Sequence, residues 1–109
     1  MSLDRLKRIL ENRAKLLKKK DLLTLDLNNY DKITYINRRK SATYTEYKKI
    51  KDNEWSLMKY NEGIITDKDT VDDDFLRSML RLYVDFARGG SVIQYGNNVI
   101  EIHTATRKI

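Results

Sequence analysis

Residues 41–60 read SATYTEYKKIKDNEWSLMKY, and whether this stretch forms a helix or a hairpin decides the fold. Thr43 and Glu46 stand at capping-box spacing, which would start a helix through Tyr47, Ile50 and Leu57. Against that, Ala42-Thr43-Tyr44-Thr45-Glu46-Tyr47 is rich in residues that suit a pleated surface. Lys51-Asp52-Asn53-Glu54 supplies turn formers, and Trp55, Leu57 and Lys59 alternate with Ser56, Met58 and Tyr60. The period of two extends over more of the stretch than the single capping pattern, so the reading is a β-hairpin.

Upstream, Leu23, Leu25 and Leu27 alternate with Thr24 and Asp26, and Asn28-Asn29-Tyr30-Asp31 offers a turn before Lys32-Ile33-Thr34-Tyr35-Ile36. This predicts an earlier hairpin. The opening stretch has a different period. Leu3, Leu6, Ile9, Leu10, Leu16 and Leu17 recur at helical steps, with Ser2 as N-cap and Asp4 near the positive end of the dipole. Its other face carries Arg5, Arg8, Lys15, Lys18 and Lys19, and the run Lys18-Lys19-Lys20 suits a helix C-terminus.

Downstream, Asn61-Glu62-Gly63 reads as a turn and Ile64 to Asp69 as a short connection opening with a brief strand. Thr70 then caps a helix with Asp72, Asp73 and Asp74 in its first turn. Phe75, Leu76, Met79, Leu80, Leu82, Tyr83, Val84, Phe86 and Ala87 leave only Arg77, Arg81, Asp85 and Arg88 for water, the pattern of a central core helix. Gly89-Gly90 ends it. Ser91 to Tyr95, a Gly96-Asn97-Asn98 turn and Val99 to Thr104 form a last hairpin, with Ile93, Tyr95, Ile100 and Ile102 on the buried face and Gln94, Glu101 and His103 outside. The expected architecture is one α+β domain over residues 1–109: an N-terminal helix, an antiparallel sheet of two hairpins, a central core helix and a C-terminal β-hairpin.

Composition narrows the function. The chain has 109 residues, 40% hydrophobic and 35% charged, with seven Tyr and one Trp, which is the make-up of a folded domain. It has no cysteine, so disulfides, thiolate metal sites and cysteine nucleophiles are excluded. No apolar run approaches a membrane span or a signal peptide's apolar stretch, which sets the expectation of a cytoplasmic protein without a membrane partner. Proline is absent while Lys, Asn, Ile and Tyr abound, a bias that fits an AT-rich coding sequence of the kind phages, plasmids and archaeal viruses carry.

The net charge of +6 is unevenly spread: residues 1–51 hold 15 basic and 6 acidic side chains, residues 52–109 hold 7 and 10. Tyr35, Arg38, Arg39, Lys40, Tyr44, Tyr47, Lys48 and Lys49 mix cations with aromatic rings, groups that would neutralise phosphates and stack on unpaired bases. With Arg5, Arg8, Lys15, Lys18 and Lys19 they form the predicted nucleic-acid-binding set, for DNA or RNA with little sequence selectivity. A recognition helix for the major groove is not apparent, since Phe75 to Arg88 is too apolar to read base edges. The alternative is a protein-interaction module, a viral inhibitor or assembly subunit, acting through the first helix or a strand edge; the aliphatic stripe of that helix would also suit a homodimer.

Catalysis finds little support. The acidic run from Asp67 to Asp74 lacks the glycine and distal glutamate of a calcium loop, and helix-dipole compensation accounts for Asp72 to Asp74. His103 is the sole histidine, on the predicted polar face of a strand. No phosphate loop or serine nucleophile motif occurs. No cofactor and no enzyme activity are expected.

Overall fold

Thr43–Lys51 (β2) and Glu54–Asn61 (β3) form the hairpin that the alternation of residues 43–60 predicts. The computed structural model describes residues 17–37, 43–86, 92–95 and 98–103; the predicted N-terminal helix up to residue 16, with Arg5, Arg8 and Lys15, lies outside them, as do Arg38, Arg39 and Lys40 and the Gly89-Gly90 pair. Asn53 at φ 59° closes the β2–β3 turn, and the register slips by one residue between Lys49 and Lys51. The next turn uses Glu62 at φ 52° and Gly63 at φ 79°, two successive left-handed residues as a tight hairpin turn requires. It leads into Ile64–Val71 (β4), a full strand where the sequence suggested a connection.

With Lys32–Ile36 (β1), Val92–Tyr95 (β5) and Val99–His103 (β6), the sheet has six strands in the order β4-β3-β2-β1-β6-β5. All pairs are antiparallel except β1 with β6, which are parallel in the interior of the sheet. The expectation of an antiparallel sheet therefore holds for all but this one pair.

The predicted strand at Leu23–Leu27 is replaced by Lys19–Leu23 (α1) and a single 3₁₀ turn, Leu27–Asn29. Leu22 and Leu27 are buried while Leu23 is 38% exposed, so the leucines point in by helical and turn geometry rather than by alternation. Asp26 favours this path: its Oδ1 accepts the Asn28 amide at 3.0 Å, a local bond that competes with a ladder. Lys18 has extended backbone, and Lys19 and Lys20 open α1 instead of closing a preceding helix.

Asp73–Phe86 (α2) packs on one side of the sheet through Leu76, Leu80, Tyr83 and Val84. Thr70 belongs to β4, and the cap falls to Asp72, whose carboxylate accepts the Phe75 amide at 2.8 Å. Asp72→Ala is expected to lower stability by about 1 kcal/mol, the usual worth of such a cap, read as a shift in the denaturant midpoint at unchanged slope. The water-facing side of α2 is broader and more apolar than predicted, since Phe75, Leu82 and Phe86 are 44%, 45% and 55% exposed.

The C-terminal hairpin forms, with two corrections. Ile100 and Ile102 are fully buried, but they pair with Gln94 and Val92, which places Val92 on the core side and Ile93 opposite Glu101. His103 is itself buried, at 8% exposure.

Candidate nucleic-acid interface

Residues directly paired across strands lie on the same side of a sheet. The register therefore assigns Ile33, Tyr35, Thr45, Tyr47, Lys49, Trp55 and Leu57 to the side that carries α1 and α2. Lys32, Thr34, Ile36, Tyr44, Glu46, Lys48, Ser56, Met58, Tyr60, Lys68, Glu101 and His103 fall on the other. Among the described residues, no helix packs on this second side.

The alternation of β2 splits the predicted basic and aromatic cluster. Tyr47 is fully buried, its hydroxyl 2.8 Å from that of Tyr83. Burial of the phenol, reinforced by the shared hydrogen bond, pushes its pKa far above the ordinary tyrosine value. Tyr35 is half-buried and stacks on Tyr83 with centroids 3.9 Å apart and planes within 8°. Both rings serve the core. Lys49 reaches back to the 3₁₀ turn, donating to the Leu27 carbonyl at 3.4 Å and to Asn28 Oδ1 at 3.1 Å, with its Nζ 5.4 Å from the centre of the Trp55 ring. That ammonium joins the turn to the sheet.

Two of the predicted residues, Tyr44 and Lys48, share the second side, Tyr44 half-buried and Lys48 exposed. Two further residues join them that the sequence reading did not select. Tyr60 stacks on Tyr44 with centroids 4.6 Å apart and planes within 14°, and its hydroxyl donates to Met58 Sδ at 3.3 Å. Lys68 stands exposed beside Met58 on β4. Counting back from the Asp52-Asn53 turn would pair Tyr44 with Asn61; the slip at Lys49/Lys51 moves the partner to Tyr60. On the same side Lys32 is paired with Glu46 at 3.5 Å and Lys51 with Glu54 at 3.2 Å, which leaves Lys48 and Lys68 as the exposed lysines of β2 and β4 on this side outside those ion pairs. Arg38, Arg39 and Lys40 are not described, but the short link between β1 and β2 carries them, and Tyr44 stands near its end. Lys18 sits elsewhere: Leu17 N donates to the Val92 carbonyl at the β5 edge, opposite β4. Lys19 opens α1 beyond it.

The acidic segment is used within the fold. Asp73 Oδ1 accepts from Trp55 Nε1 at 2.7 Å, and Asp67 and Asp69 each accept the amide of the next residue. Among the described residues no three His, Asp or Glu side chains gather as metal ligands, and no helix is long and apolar enough to cross a membrane. His103 Nε2 lies 3.2 Å from Glu101 Oε2. No protein family, curated protein or solved structure matches this chain.

Proposed function

We propose that the chain is a nucleic-acid-binding protein of low sequence selectivity, working through the sheet side that presents Tyr44, Lys48, Tyr60 and Lys68, with Arg38, Arg39 and Lys40 preceding β2 in the sequence. The observation that carries this reading is the Tyr44–Tyr60 stack on the same side as two exposed lysines. Tyrosine rings offer π-faces to any base and lysines neutralise phosphates, which is affinity without base-edge readout. Such binding requires no side chain for acid–base or nucleophilic work.

The test is fluorescence anisotropy with labelled single-stranded DNA, duplex DNA and RNA across a salt series. Binding should weaken steeply with salt. The Lys48→Glu/Lys68→Glu variant should bind at least tenfold more weakly at low salt. Tyr44→Ala should cost on the order of 1–3 kcal/mol on single strands and little on duplex, the difference expected of a stacking platform. Absence of binding at low salt would overturn the proposal. It would leave the second reading, a protein-interaction module, which one observation favours: β4 is an edge strand whose residues from Ile64 to Thr70 are all exposed.

A further inference from the structure

Phe75, Met79, Leu82 and Phe86 follow one another on α2 at steps of four, three and four, so they form one stripe along the helix. It lies off the core line of Leu76, Leu80, Tyr83 and Val84. On the opposite flank Arg77 donates to the Leu23 and Leu25 carbonyl oxygens at 3.2 and 2.6 Å, fixing α1 to that side. The chain reaches α1 from the β5 edge, where Leu17 meets Val92, so the stripe turns toward β3 and β4. No described helix covers that sector. On its floor Ile64, which the register places on the helix side, is 69% exposed, and Lys59, Asp67 and Asp69 are exposed as well. Phe75, Leu82 and Phe86 are exposed while Met79 is half-buried against the core, and an apolar stripe of this kind left facing water is the usual mark of an interaction surface.

We infer that this stripe is the interface of a symmetric dimer in which α2 of one copy packs antiparallel on α2 of a second. The spacing reads the same in both directions, so a two-fold axis between Met79 and Leu82 sets Phe75 against Phe86 of the other copy and Met79 against its Leu82. The borders agree. Ser78 and Asp85 line the solvent edge of the stripe, and reversal places the neutral Ser78, whose hydroxyl donates to the Asp74 carbonyl at 3.0 Å, opposite a carboxylate rather than two carboxylates together. It also separates the two acidic first turns, which a parallel pair would bring side by side, and opposes the two helix dipoles. Pairing of two β4 edges is the poorer arrangement: centred on Lys68, it would set Asp67 of each strand against Asp69 of the other.

The absence of cysteine makes the test direct. Full-length Phe75→Cys and Phe86→Cys variants, mixed under mild oxidation, should give the mixed disulfide. Neither alone should cross-link, because self-pairs would sit about 16 Å apart along the axis, beyond disulfide reach. Sedimentation should show a concentration-dependent dimer whose dissociation constant rises at least tenfold in Leu82→Glu, with circular dichroism unchanged. A monomer at several hundred micromolar, self-disulfides matching the mixed one, or a dimer that survives Leu82→Glu but is lost in Leu6→Glu/Leu10→Glu would each overturn the inference.

Discussion

Trp55→Ala is expected to destabilise the fold by about 3–5 kcal/mol, a large part of the total stability of a domain this size, and so to leave much of the chain unfolded at 37 °C. Trp55 is fully buried. The indole N–H donates to Asp73 at the start of α2, whose backbone amide in turn donates to Asn53 Oδ1 in the β2–β3 turn. The Lys49 ammonium lies over the ring and ties it to the 3₁₀ turn. Removing the indole leaves a cavity and strips three elements of a shared anchor. Urea unfolding followed by far-ultraviolet circular dichroism measures the loss. Trp55→Phe should recover about half of it by filling the space without restoring the bond to Asp73; full recovery would show that this bond is worth little.

The second large effect is alkaline. Tyr47 and Tyr83 are held protonated by burial, in Tyr47 reinforced by the hydrogen bond between them. In the unfolded chain both titrate near pH 10. Below that pH both states are protonated and these groups add no pH dependence. Above it the unfolded state loses protons that the folded state keeps, so stability falls with rising pH, by up to about 1.4 kcal/mol per unit for each such tyrosine. Denaturant midpoints between pH 9 and 12 should fall accordingly, and the Tyr47→Phe/Tyr83→Phe double variant should flatten that fall. At pH 7 the same variants form a cycle. Tyr47→Phe alone leaves a buried hydroxyl with one partner fewer and should cost about 1–3 kcal/mol, while the double variant should cost less than the sum of the two single ones.

The elements most visible in the sequence were those with long, consistent periods. The alternation of 43–60 and the apolar density of 75–86 each announced their element. The misreadings came where two periods share the same residues. Leu23, Leu25 and Leu27 alternate as a strand would, yet Leu23 ends a helix and Leu27 opens a 3₁₀ turn with Leu25 between them, because a local carboxylate-to-amide bond at Asp26 competes with pairing. β4 was hidden by its charge: Asp67-Lys68-Asp69 reads as loop, but an edge strand tolerates such residues because both its sides meet water. The candidate site was half legible. Residue type selected Tyr44 and Lys48 along with Tyr35, Tyr47 and Lys49, and composition does not record which side of a strand a residue takes. The one-residue slip that brings Tyr60 under Tyr44 is likewise a backbone event without a sequence signature.

The parallel pairing of β1 with β6 bears on how the chain comes to be folded during synthesis. The meander from β1 through β4 involves only neighbours in sequence and can form as soon as it leaves the ribosome. β1, however, stands at the middle of the finished sheet, and its second neighbour begins about sixty residues later, so a large loop must close before the centre is complete. Until β6 arrives, the nascent chain carries an open strand at what will become its core. Arrival of β6 is therefore the step that converts an aggregation-prone edge into the interior of the sheet.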